Sequence, residues 1–375
     1  MLLALFLWKN SSETPLPEGI SSEDYESVRT SLKKATGTEP TQAEVLFTLA
    51  KSLESQGDYD SAGRCFEAVS GSDSHYGLRA LLESGKLQIK LNHATAAESS
   101  LRKFLEYADQ DPDIKNSQIA EALDWLKYLM SIELRFEERT PLLKKLHELG
   151  YAKPQHSLQY LFPHLLLWNS VKGRDKIRAC LQETPGDPHL LIAHGRYLTG
   201  AGKLEDSRVL LEALVEKIPT NPACLAALLE CHFERNDWNS FEAVLTKYKP
   251  EDKEDWLLML MKGEYALHEQ HWEQAAFHFE KLLEEDRGNV TASMGLAQAY
   301  QELGQNEKSE QYRQQTRVLS RIRPQLSKLL KDDPESFAEI AQQCESIGYD
   351  DAARILRLQG ALIGQQVPFL TAPEN

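Results

Sequence analysis

Apolar and small residues recur along most of this chain at helical spacing, in blocks that restart every 34 residues. Four starts, Pro188, Pro222, Trp256 and Val290, stand one period apart. In the block at Trp256, Met259, Gly263 and Ala266 fall on one face of a first helix. After the turn from His268 to His271, Trp272 opens a second helix that carries Ala275, Phe279 and Leu282. Residues three and four apart share a helix face, so each block predicts helix, turn, helix. Small Gly263 marks where a neighbouring helix approaches closely, and Arg287-Gly288-Asn289 ends the block as a glycine beyond a helix should. The other blocks repeat the design: Leu191, Gly195 and Leu211; Leu225, Leu229 and Phe241; Leu296, Ala297, Tyr300 and Ser309.

The pattern reaches beyond these four blocks. Ala43 and Leu78 open regular blocks upstream (Leu46, Ala50, Tyr59, Ala62 and Phe66 in one; Leu81, Gly85, Ala97 and Leu101 in the other). Stepping back by the period from Pro188 reaches Pro154 and Ala120, which open degenerate ones. Downstream the frame slips by about ten residues near Pro324, and a last block begins at Pro334. A period of this length is the signature of stacked helical hairpins, each packing on its neighbours, so no single large core is required. Strand signals are scarce, so the chain is all-α. The array of eight or nine hairpins spans 43–363. Residues 1–9 form an apolar N-terminal segment, 10–42 a polar linker with a capping helix, and 364–375 a tail.

Gly263, Trp272, Ala275 and Phe279 in one block, and Ala50, Tyr59, Ala62 and Phe66 in another, resemble the tetratricopeptide repeat family. The resemblance covers about residues 43 to 363 and implies a right-handed α-solenoid. Phe241, where a small residue is usual, and Arg313, where an aromatic is usual, depart from the pattern and predict locally shifted packing. In such an array the first helices line the concave wall. The resemblance therefore implies a groove made by Ile192, Ala226, Leu260 and Met294 as an aliphatic stripe, beside Arg196, Glu230, Glu264 and Gln298 as a polar one. Phe233 and Leu267 lie further along it. A stripe that buries apolar anchors beside a polar row that fixes register suits an extended or helical peptide. Neighbouring helices covering part of the stripe is the alternative. The family's carboxylate clamp needs Lys and Asn on these helices. Lys51 and Lys86 are present but the asparagines are not, so recognition of acidic C-terminal tails is not expected.

Composition removes other classes. A net charge of −15 repels phosphate, and non-specific nucleic-acid binding rests on Lys and Arg neutralising it. The cluster Arg317, Arg321, Arg323, Lys328 and Lys331 runs at once into Asp332 and Asp333 and reads as a solvated helix face, with an acidic partner as the alternative. The five cysteines, Cys65, Cys180, Cys224, Cys231 and Cys344, form no C-x-x-C and read as packed thiols. His268, His271 and His278 would have to converge across a tight turn, without an acidic or thiol ligand at a familiar spacing. No phosphate loop, nucleophile elbow or zinc-protease motif is present. The expectation is no catalysis, no cofactor and no metal.

The first eight residues are wholly apolar. A membrane span needs about 20 such residues. The expectation divides between the end of an anchor that begins upstream, a short helix docking on the first hairpin, and a tag. The chain is then membrane-tethered in the first case and cytoplasmic otherwise. Two functions follow: a non-catalytic scaffold or adaptor holding a protein or peptide partner in the groove, or a structural or accessory subunit of a membrane-associated envelope-biosynthesis or secretion assembly. Neither reading specifies an oligomeric state.

Overall fold

The computed structural model describes residues 15–70, 75–108, 110–164, 170–248, 255–329 and 334–364. The apolar N-terminal segment lies outside them, as does the C-terminal tail beyond Gly364. Among the described residues there are nineteen helices and no strand. None of the helices is long and apolar enough to cross a membrane. The chain divides into two compact units, one up to Leu126 and one from Lys127 onward.

The first unit holds α1 (Ser22–Thr36), α2 (Gln42–Gln56), α3 (Tyr59–Ser70), α4 (His75–Lys90), α5 (Ala94–Ala108) and the start of α6 (Asn116–Ile132). Thr41 caps α2 by accepting the Glu44 amide at 3.2 Å, satisfying a donor that the first turn leaves orphaned. Gly57, at φ 84°, ends α2 in the left-handed region and turns the chain into α3. Phe66 and Cys65 of α3 are fully buried against Val45, Leu49 and Ala50 of α2 and Leu87 of α4. Tyr25 of α1 is buried in the same cluster, with Val28 and Leu32 packed beside it.

The second unit continues with α7 (Phe136–Glu148), α8 (Pro154–Leu161), α9 (Ser170–Glu183), α10 (Pro188–Gly200), α11 (Leu204–Val215), α12 (Pro222–Glu234) and α13 (Trp238–Lys247). It ends with α14 (Trp256–His268), α15 (Trp272–Glu285), α16 (Val290–Glu302), α17 (Asn306–Leu329), α18 (Pro334–Glu345) and α19 (Asp350–Gly364). The four starts one period apart are the first residues of α10, α12, α14 and α16. Each is preceded by a cap: Asp187, Asn221, Asp255 and Asn289 accept backbone amides at 2.8, 2.9, 2.8 and 3.0 Å. The period thus repeats the helix-starting chemistry as well as the packing face. Phe279 of α15 shows why the small positions are small. A Cβ on Gly263 or on Gly295 would come within 2.5 Å of its ring, so the ring is clasped by two first helices that only glycine lets approach.

Two features depart from a regular array. The frame slip near Pro324 is a single 24-residue helix, α17, that runs through the proline. The extra residues lengthen a helix instead of inserting a loop. The second departure is α8, which packs on α7 but also on α17 and α19. Leu158 and Phe162 share a core with Leu319, Ile322, Phe337 and Leu356. Gln359 donates to the Ala152 carbonyl at 3.1 Å, across 207 residues. An array held only by neighbouring hairpins contains no such contact. Phe241, unusual for its place, is fully buried and stacked on Tyr265 at 5.2 Å.

Candidate partner-binding face

The degenerate stretch after α6 lies against the first helices of the regular repeats. Leu134, at φ 59°, ends α6 in a conformation that branched and bulky residues rarely adopt. The next residues are thereby carried onto α10 and α14. Phe136 is buried with Ile192 and Trp256 in one core, its ring 6.1 Å from the Trp256 ring. The Trp256 amide, an orphan donor in the first turn of α14, donates to Glu137 Oε1 at 3.0 Å. A carboxylate there also meets the positive end of the helix dipole. His164 stacks on Trp256 at 3.5 Å and donates through Nδ1 to buried Asp286 at 2.5 Å.

Arg139 is wholly buried, donates to Ser131 Oγ at 3.2 Å and to the Pro163 carbonyl, and lies 4.7 Å over the Phe136 ring. Its Nε has no partner among the described residues, and burial pulls the guanidinium down to about 9. It stays charged at neutral pH as a buried cation.

Between residues 133–138 and the N-terminal ends of α10, α12 and α14 lies a cleft of about 170 Å³. Drug-sized ligands occupy roughly 300–1,000 Å³, so this volume suits a side chain or two. Ile192, Ala223 and Leu257 give it an apolar floor, and Arg196, Glu137, Glu138 and Asp255 stand around it. Arg196 donates to Glu230 at 2.9 Å, from the ninth place of one repeat to the ninth of the next, and sits 5.5 Å over Trp256. Burial opposes the charge on Arg196, but Glu230 more than restores it. Burial also pushes Asp255 and Glu264 above the usual carboxylate range.

The ten residues expected to line a groove are therefore unequal. Ile192 and Arg196 line the cleft, and Glu230 fixes Arg196. Ala226 is fully buried in the core and offers no surface. Leu260 and Leu267 are partly buried against the core, as is Phe233, which meets Trp238 edge-on at 5.6 Å. Glu264 is half-buried, whereas Gln298 and Met294 are exposed, Met294 by 58%. The residues that cover the face, Phe136, Glu137 and His164, carried no periodic signal because they sit in the worn blocks. Their contacts are 119 or more residues away for Glu137 and His164.

In the first unit the equivalent places carry a chain of ion pairs. Lys90 reaches Glu54 at 2.7 Å, Glu54 meets Lys51 at 2.7 Å, and Lys51 meets Glu83 at 2.9 Å. Lys86 then joins Glu83 at 3.2 Å to Glu121 at 2.7 Å. Burial opposes charge on Lys51, Glu54 and Lys86, yet the partners outweigh it, holding the lysines above and Glu54 below their ordinary values. The two lysines of the would-be clamp already hold carboxylates of their own chain.

Reactive-looking groups elsewhere are sealed. Ser157 Oγ stands 3.0 Å from His147 Nε2, the distance of a nucleophile and its base, and His147 Nδ1 donates to the Leu143 carbonyl. Ser157 is wholly buried, so its hydroxyl meets no solvent, while His147 is half-buried. All five cysteines are buried, and burial raises their thiols, Cys65 and Cys180 to about 11, Cys224 and Cys344 to about 12. His268 stacks on Trp238 at 4.0 Å. Among the described residues no three His, Cys, Asp or Glu side chains gather as a metal site.

The tetratricopeptide repeat family matches two segments, residues 43–76 and 266–316, which hold α2–α3 and the end of α14 through part of α17. No curated protein matches the chain. By structure it is similar to a tetratricopeptide repeat protein from Parabacteroides merdae, at 15% identity and TM-score 0.34, over 69% of this chain and 98% of that one. It is also similar to the human IFIT1 dimer with m7Gppp-AAAA, at 12% identity and TM-score 0.37, over 92% and 96%. The Cut9–Hcn1 hetero-tetramer of the APC/C gives 13% identity and TM-score 0.35, over 86% and 74%.

Proposed function

Since the chain is a tetratricopeptide-repeat protein, we propose that it is a non-catalytic scaffold that holds a peptide or protein partner on the first-helix face of α10, α12 and α14. The observation that carries this reading is the cleft at Ile192, Arg196 and Asp255, an apolar floor with fixed charges at its rim. That arrangement is how peptide grooves combine anchor burial with register. Protein is favoured over RNA by charge. The lining carries Glu133, Glu137, Glu138 and Asp255 against Arg135 and Arg196, on a chain of net charge −15.

Panning a random peptide library on the immobilised chain tests the reading. Enriched peptides should lose binding to Ile192→Asp and Arg196→Ala variants that remain folded. Enrichment that both substitutions leave untouched, or recovery of ultraviolet-crosslinked RNA in place of peptide, would overturn it.

A further inference from the structure

We propose that residues 133–139 are a built-in ligand of the partner face, and that the external partner is a peptide with the same chemistry: an aromatic followed at once by an acid, at the start of a helix. The proposal rests on the scaffold reading and names the partner class for that site.

The internal segment shows what the face accepts. Phe136 is buried against Ile192 and Trp256. Glu137 takes the Trp256 amide, a donor that every isolated helix N-terminus must satisfy somewhere. The next two residues at the cleft rim, Glu138 and Arg135, are joined by an ion pair at 2.8 Å, so they add no apolar anchor. An aromatic and a carboxylate, one residue apart, supply the two contacts.

The same segment is held in a way that leaves it displaceable. Arg139 is a buried cation whose described partners are a hydroxyl, a carbonyl and an aromatic ring, with its Nε unsatisfied. A charge buried without a carboxylate costs free energy that its release would recover. Leu134 is kept at φ 59°, which a released segment would also relax. Packing draws the segment in, and these two residues work against it. A competitor with the same aromatic and acid, but without the buried arginine, takes its place.

The test uses the full chain and two acetylated, amidated probes: a peptide of residues 131–138, which stops short of Arg139, and the same peptide with Ala for Phe136 and Gln for Glu137. Binding is read by fluorescence anisotropy to wild type and to the double variant Phe136→Ala, Glu137→Gln. Protection of Cys224 and Cys231 from alkylation reports that the receiving helices stay folded. The native peptide should bind the double variant at least tenfold more tightly than wild type, and the substituted peptide should bind neither. Equal binding of the native peptide to both proteins, or of both peptides to the double variant, overturns the proposal.

If the double variant loses cysteine protection, Glu137→Gln alone replaces it. That variant removes one hydrogen bond and should still raise affinity several-fold, and an unchanged affinity overturns the proposal. Library peptides that need Ile192 and Arg196 while the 131–138 peptide fails to bind would leave the scaffold reading standing and remove this one. Absence of any peptide binding removes both.

Discussion

The two units build the same hairpin and treat its first-helix face in opposite ways. In the first unit that face is crossed by alternating Lys and Glu, from Lys90 to Glu121, and each hairpin packs on its sequence neighbours. In the second unit the face receives Phe136, Glu137 and His164 from its own chain, and α8 reaches forward to α17 and α19. Repeat packing therefore fixes helices beside helices but leaves the first-helix face undetermined. What occupies that face depends on residues outside the repeat pattern. The buried cysteines allow the contrast to be measured, because Cys65 reports on the first unit and Cys180, Cys224, Cys231 and Cys344 on the second.

Removing the internal anchor should separate the units most. Phe136→Ala empties a fully packed aromatic site and should destabilise the second unit by about 3–5 kcal/mol. Alkylation of Cys224 and Cys231 in a urea series should shift to lower urea while Cys65 keeps its midpoint. A common shift of all five would show that the units unfold together.

Gly263→Ala forces a methyl against the Phe279 ring and should cost about 1–3 kcal/mol. It should be read at the same cysteines, with Cys65 again unmoved. Retention of the wild-type midpoint would mean that α14 and α16 separate at no cost.

Acid should distinguish the units more gently. Burial holds His147, His194 and His232, all in the second unit, below the ordinary imidazole value. The unfolded chain then binds these protons first. Their contribution is complete above about pH 6.5 and is lost as pH falls toward the folded values. Asp255 and Glu264, raised by burial, work in the opposite direction. The informative comparison is thus wild type against His147→Asn. Between pH 7.5 and 5.5 wild type should lose more urea resistance at Cys180 and Cys344, and parallel curves would refute the assignment. In the first unit Glu54 and Asp58 are held low by their partners, so their contribution is complete above the ordinary carboxylate values and is lost as pH falls from those values through the lowered ones.

The smallest effect belongs to the ion-pair chain. Glu83→Gln removes two contacts that are only partly sheltered, and exposed pairs are worth roughly 0.2–1 kcal/mol. The loss at Cys65 should disappear in 1 M salt, and a loss that persists there would mark the pairs as truly buried.

The helices were legible because a helix face is written locally. Pro188, Pro222, Trp256 and Val290 are helix starts, and Gly263 and Phe279 meet as the pattern requires. The capping residues Asp187, Asn221, Asp255 and Asn289 were equally periodic and could have been read. The candidate site was legible only in half. Ile192 and Arg196 follow from the repeat, but their cover comes from contacts such as Glu137 with Trp256, which leave no spacing to find. The worn blocks at Ala120 and Pro154 were the trace. They lost the repeat pattern where α8 packs on α17 and α19 as well as on its neighbour.

The bond from Gln359 to Ala152 also constrains how this gene can change length. Repeat proteins gain and lose whole hairpins by duplication, because each new unit needs only its neighbours. Hairpins in the first unit satisfy that condition. Between α8 and α19 they do not: one added period would carry Gln359 away from Ala152 and draw Trp256 or Asp286 out of reach of Glu137 and His164. Duplications should therefore be tolerated before Leu126 and rejected between Pro188 and Pro334, so the second unit is an array whose count is fixed.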